Sequence, residues 1–459
     1  MLIKGVVVFL VVILAIAVCA GSVSAQGSNW WTNQYGTRAE LLGGVVVGSF
    51  IDLSSTYYNP GAIALVRNQE VLLSAEAFQY QSLEFTNPEV PERTESTTRF
   101  GTAPTLFAGL FPSNWLTGQL AYSALTRQDF DFRLQGNYSG YEDVFEDLPG
   151  EEFYAAETYF DHELNENWYG ATWSHSPKEG LGIGATLYGA YRSHRVRVQA
   201  ITQGVSGTTG DGATLVYVDE YSYKTFRFLA KLGIALDYSP IEVGFTVTTP
   251  SLMFLGSGKA YYNRNIVGVD LDGDGEPDTE LQTSQQDVSA QYKSPLSIAA
   301  GASYRLTGSA IHFSCEWFNG VGRYQTLDLQ PQTTNLDPGT SLYRRVTLEY
   351  DPVFNLGLGL ERMWTESFHG YVSFITDFTA ATNEYPSGMD LYHILAGAAV
   401  HIKGLSLTLG VGYAFGGDTF QTLVDPSWAT DGGAPFRNSA AVDVDYRRLR
   451  AIVGFAFTL

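Results

Sequence analysis

Residues 43–65 read GGVVVGSFIDLSSTYYNPGAIAL, a stretch of apolar and small residues without Lys or Arg. It shows no clean period of 2 or 3.6, the periods of strand and helix. It ends in Tyr57-Tyr58-Asn59-Pro60-Gly61. Asn-Pro-Gly signals a tight turn: Pro60 fixes its own φ and biases Asn59 away from the helical region, and Gly61 permits φ > 0. A segment this apolar must be buried. The roughly 390 residues after it read as long amphipathic strands, whose natural product is a closed barrel. The expected fold is therefore all-β, a transmembrane antiparallel β-barrel with an N-terminal plug, or hatch, inside its lumen.

Working outward, the strand pattern begins near Glu70 and predicts about fourteen strands: 70–86, 100–111, 115–135, 152–175, 180–201, 213–238, 241–263, 284–305, 309–326, 341–361, 367–380, 389–402, 405–416 and 440–459. Short connections such as Ser239-Pro240, Leu306-Thr307-Gly308 and Lys403-Gly404 alternate with long ones such as 136–151, 264–283 and 417–439. Tight inner turns and long external loops are the asymmetry of an outer-membrane barrel. In the last strand Leu449, Ala451, Val453, Phe455 and Phe457 share one face, and Arg448, Arg450, Ile452, Gly454 and Ala456 the other. An apolar face opposite a polar or tiny one means lipid outside and lumen inside. Cys315, in phase with Ile311, Phe313 and Trp317, is expected on the lipid face. Pro250 has no N–H to give a ladder, which predicts a bulge in the strand 241–263.

Upstream, Lys4, the apolar run Gly5–Ala20 and Val23-Ser24-Ala25 have the order of a signal peptide, expected over 1–25. The plug then covers 26–69 and the barrel 70–459. Removing residues 1–25 takes away one Lys and no acid, leaving 26 basic against 48 acidic residues and a net charge of −22. That balance argues against nucleic-acid partners. With 16% charged and 14% aromatic residues the chain carries less charge than a soluble acidic protein usually does, and more of the aromatic surface that meets lipid. One cysteine, Cys315, remains after residue 25, so no internal disulfide is expected. The seven histidines are scattered, with no H-E-x-x-H and no G-x-S-x-G, so an enzyme is not expected.

Gly48-Ser49-Phe50-Ile51-Asp52-Leu53-Ser54-Ser55-Thr56-Tyr57-Tyr58-Asn59-Pro60-Gly61-Ala62-Ile63-Ala64 resembles the hatch segment of the FadL/TodX-type outer-membrane transporters of long-chain fatty acids and aromatic hydrocarbons. That family's Asn-Pro-Ala is Asn-Pro-Gly here. The resemblance covers the chain from plug to C-terminus. It implies passive uptake of a hydrophobic small molecule, a lumen pocket, a movable hatch and lateral exit into the bilayer through a kinked third strand, which falls within 115–135. Asp52, Ser54, Asn59, Pro60 and Gly61 are the expected hatch residues. A polar-solute porin and a structural or adhesive barrel with a static plug are the alternatives.

Four further groups carry candidate chemistry. Asp52 lies in an apolar run and, once buried, needs a lumen Arg or backbone N–H as partner. Arg448 and Arg450, on the lumen phase, are candidate partners for a ligand carboxylate. Asp270, Asp272, Asp274 and Asp278 have the spacing of an EF-hand-type loop with Gly275 at its sixth position, a candidate structural Ca²⁺ site that lacks the twelfth-position Glu. No other cofactor is expected. Arg195 and Arg197 are placed to meet lipopolysaccharide phosphates, and the acidic loop of Glu142, Asp143, Glu146, Asp147, Glu151 and Glu152 to face solvent. The expected partners are outer-membrane lipid, lipopolysaccharide and the ligand, around a monomer.

Overall fold

A computed structural model describes residues 27–66, 71–86, 94–111, 116–142, 145, 148–268, 282–333, 341–342, 346–382, 388–422 and 440–457. The segment 27–66 holds two single-turn helices, α1 (Arg38–Leu41) and α2 (Ser55–Tyr58), and a 3-10 turn over Pro60–Ala64. Everything after it is strand: β1 (Val71–Thr86), β2 (Thr94–Phe111), β3 (Gln119–Glu142), β4 (Glu152–Lys178), β5 (Leu181–Ser206), β6 (Gly212–Tyr238), β7 (Ile241–Thr248), β8 (Leu252–Val267), β9 (Gln282–Ser289), β10 (Ser297–Leu306), β11 (Ser309–Phe318), β12 (Val321–Gln325), β13 (Gln332–Thr333), β14 (Ser341–Leu342), β15 (Thr347–Tyr350), β16 (Val353–Thr365), β17 (Phe368–Asp377), β18 (Leu391–Ile402), β19 (Leu405–Thr422) and β20 (Ala440–Phe457).

Sixteen of these strands form one antiparallel sheet, closed because β1 pairs with β20 and β5 with both β4 and β6. The count corrects the expected fourteen. The extra two arise where 241–263 breaks into β7 and β8 and 284–305 into β9 and β10. Across Pro250 the ladder to β6 slips by one residue, Thr249–Ser251 standing opposite Leu229 and Ala230 with Thr249 N–H on Ala230 O (2.9 Å), which is the expected bulge; on the opposite side the pairing lapses between Thr248↔Ser297 and Ser257↔Ser289. The spans 309–326 and 341–361 also divide, at Asn319-Gly320 and Asp351-Pro352, into β11/β12 and β15/β16. β12 and β15, and β13 and β14, pair outside the main sheet.

The alternation holds in three dimensions. On β20, Tyr446, Arg448, Arg450 and Ile452 are buried while Leu449 and Phe457 are exposed; on β16, Phe354, Leu356, Leu358 and Leu360 all point outward. Cys315 lies in the outward phase with Ile311, Phe313 and Trp317. Turns close where glycine or the residue before it takes positive φ, as at Lys403-Gly404 (38° and 83°).

The bonds of segment 27–66 run round the inner face of the ring. Gly36 N–H donates to Ser74 Oγ on β1, Asn33 to β3, Ala64 N–H to Ser174 on β4, and Asn59 to Ile234 O on β6. Tyr188 on β5 and Ser373 on β17 donate to the carbonyls of Thr56 and Leu41. Ser49 pairs with His312 on β11 (2.8 Å), and Arg38 with Glu361 on β16 (2.8 Å). No described helix is long and apolar enough to cross a membrane.

Candidate functional site

A non-strand segment inside a barrel must satisfy its polar backbone locally or on the wall. Asp52 does so locally. Its Oδ1 accepts from Ser54 N–H (2.8 Å) and its Oδ2 from Ala39 N–H (3.3 Å) and Thr37 Oγ1 (3.4 Å), so the fully buried carboxylate ties two turns of the segment together without an arginine. Ser54 Cβ sits where a side chain on Gly36 would fall, 2.6 Å away, which demands glycine at 36. Asn59 is extended (φ −154°), as its proline neighbour requires. Its amide donates to Val47 O (2.8 Å) and Ile234 O (3.0 Å), and its Oδ1 accepts from Gly61 N–H (3.1 Å). Pro60 opens the 3-10 turn. Gly61 is not among the positive-φ glycines, so its expected reason is corrected. A Cβ there would lie 2.6 Å from Gly233 O and 2.8 Å from Gly182 O; close approach to the wall, not backbone hand, requires glycine.

Arg448 and Arg450 are fully buried on the inner face, but they hold the N-terminal segment rather than facing a cavity. Arg448 donates to Asn33 Oδ1 (3.1 Å) and to Thr32 O; Arg450 donates to Glu76 (2.8 Å) and Gln34 Oε1 (2.6 Å). The phase of these arginines is plain in the sequence, but their partners lie 374 to 416 residues away. Asp270, Asp272, Asp274 and Asp278 lie outside the described residues, as do Asp143, Glu146 and Asp147 of the acidic loop. Arg195 and Arg197 point outward and both lie against Glu220 (3.3 and 4.0 Å), with Asp161 also near Arg195 (3.9 Å).

The pairing of the third strand with the second is interrupted, while β3 itself runs on along β4. β2 and β3 pair only from Leu106↔Leu125 to Phe111↔Leu120, and β3 shifts register on β4 between Thr126 and Gln128. The carbonyls of Thr126 and Arg127 are met by Asn33 Nδ2 (3.3 and 3.4 Å). Beyond this point Arg99 and Asp129 (3.4 Å) link the two strands through side chains.

Behind that interruption, against the N-terminal segment, lies a narrow pocket, partly open to solvent, whose free space for water-sized molecules is about 30 Å³. Trp30 and Tyr57 of the segment and Trp168, Tyr292 and Phe318 of the wall, with Leu229, give it a largely aromatic apolar lining. Its charged groups are mostly engaged. Glu166 takes Arg192 and Arg227 (2.8 Å each) and Trp168 Nε1 (2.6 Å); Glu316 takes Trp31 Nε1 (2.8 Å) and Ser297 Oγ (2.6 Å); Arg127 donates to Trp30 O. Lys231 differs. It is 3% exposed, and its ammonium sits 4.4 Å from the Tyr57 ring centroid with no hydrogen bond or ion pair among the described residues. The phase of β6 could have flagged it: Lys231 falls on the inner face with Leu229, Gly233 and Ala235.

These features define a closed antiparallel barrel whose interior is taken up by its own N-terminal segment and a side cavity. The particular fold is that of the FadL- and TodX-type channels. A Pseudomonas aeruginosa FadL homologue superposes with a TM-score of 0.58 at 12% identity over 94% of this chain and 100% of its own. The P. putida toluene transporter TodX gives 0.54 at 8% over 93% and 99%, and the Ralstonia pickettii toluene transporter TbuX 0.52 at 10% over 93% and 99%. At these identities the likeness concerns the fold. These neighbours are channels and transporters, not enzymes. No family model matches the chain, and none of the curated proteins does.

Proposed function

We propose that the chain is a monomeric outer-membrane channel for passive uptake of hydrophobic molecules, with residues 26–69 as a hatch in the barrel 70–459 and 1–25 removed as a signal peptide. The carrying observation is the aromatic cavity with one unpaired ammonium, Lys231. A buried cation left without a hydrogen-bonded or ionic partner is costly unless a ligand supplies one. That favours an apolar ligand with a carboxylate head, a long-chain fatty acid, over the neutral hydrocarbons named for TodX and TbuX. The break in pairing between β2 and β3 is the exit to the bilayer that the resemblance implies. A polar-solute porin fits poorly, because segment 27–66 is bonded around the ring it would have to leave open. Movement of the hatch is testable by cross-linking Ser49→Cys to His312→Cys, whose side chains touch in the native protein (2.8 Å), in a Cys315→Ser background. The oxidised protein is expected to bind oleate but not to pass it on, with recovery on reduction; undiminished uptake when cross-linked would show that the segment need not move.

A further inference from the structure

Where a barrel wall faces hydrocarbon, backbone groups that leave the ladder have no water to turn to. The wall nevertheless opens at a second place. β7 and β10 pair up to Thr248↔Ser297, and β8 and β9 pair from Ser257↔Ser289 onward. Between them Leu252–Leu255 has no ladder partner on the side of residues 290–296. The facing backbone is turned away: Gln291 N–H donates to Thr326 O (2.9 Å) and Lys293 N–H to the Tyr324 hydroxyl (3.0 Å). Only the ends of the gap are closed. Ser251 and Ser294 exchange N–H···Oγ bonds of 3.1 Å, and Ala290 N–H reaches Gly256 O at 3.4 Å.

Side-chain exposure marks the same gap. Leu252, Met253, Phe254 and Leu255 are 74, 37, 62 and 63% exposed, four large apolar residues in succession, where a regular strand would bury alternate ones. Directly behind stands Tyr292, 2% exposed, with Arg192 and Arg227 4.0 and 4.5 Å from its ring centroid. Tyr292 and Ser294 line the cavity, and the Tyr292 hydroxyl has no hydrogen-bond partner although it is buried. Both arginines stay paired with Glu166 whether or not the ring covers them. The ring can therefore leave without stranding a charge.

We infer that this seam is a lateral port distinct from the break between β2 and β3. A flexible apolar chain held in the cavity passes between Leu252–Leu255 and Gln291–Lys293 when Tyr292 swings off its arginines. The inference rests on the uptake reading above. The test is a Ser251→Cys/Ser294→Cys pair in the Cys315→Ser background, expressed in a bacterial host without its own fatty-acid channel and fed radiolabelled oleate. Oxidation is expected to lower uptake severalfold, to the share that the exit at β3 still carries, and reduction of the same cells to restore it. Leu255→Trp, which crowds the seam from outside the cavity lining, is expected to slow uptake without a cross-link. Equal uptake by the oxidised and reduced forms, with the cross-link confirmed by mass spectrometry, overturns the port; if that pair does not fold, unchanged uptake by Leu255→Trp does so. Wild-type protein that neither binds nor takes up oleate would instead sink the uptake reading itself.

Discussion

Replacing Gly244 by Val is expected to turn a closed barrel into a conducting one. A Cβ at 244 would lie 1.9 Å from Val47 O and 2.5 Å from Asn59 Nδ2, both in the N-terminal segment. The neighbouring wall is built the same way: Gly182 would meet Gly61 O at 2.1 Å and Gly301 would meet Gly48 N at 2.7 Å. β7 is held by continuous ladders to β6 and β10, whereas the segment holds the wall at 244 through a few bonds. The segment therefore moves and the strand stays. Overpacking of this kind costs about 1–3 kcal/mol, enough to populate a displaced segment. Steady ionic current in planar bilayers, absent from the wild type, is the expected readout. Gly322→Val is the control, since a side chain there meets nothing within 4 Å. A Gly244→Val barrel that is folded and silent would mean that the segment does not close the bore.

The second large effect concerns the ligand's head. Lys231→Met keeps the apolar stem against Tyr57 and removes the cavity's unengaged charge. A hydrogen bond to a charged group contributes about 1.5–3 kcal/mol, so oleate affinity is expected to fall roughly ten- to hundredfold. Affinity for methyl oleate, which has no anion to lose, is expected to change little. Equal losses for acid and ester would assign Lys231 a packing role and reopen the case for a neutral hydrocarbon.

Much of this was legible because strand periodicity is local. The two faces of β20, the outward Cys315 and the turn at Lys403-Gly404 all follow from neighbours in sequence. Pro250 marks the bulge on β6, but the lapse of pairing on the other side lies against Tyr292, which packs on Arg192 and Arg227, about 100 and 65 residues away in sequence. Arg448 and Arg450 show the same limit. Their inward phase was readable, whereas their engagement by Asn33 and Gln34 is a property of the folded ring. Gly61 has no positive φ to serve, and the tight approach to Gly182 and Gly233 that does require glycine leaves no mark on the local chain.

The central claim is that a sealed barrel carries a binding cavity for an apolar molecule with an anionic head. Equilibrium dialysis of radiolabelled oleate against the purified wild-type protein, with bilayer conductance recorded on the same preparation, addresses it most directly. Saturable binding without steady current is the predicted result. Sugar-permeable conductance with no binding of oleate or toluene would contradict it.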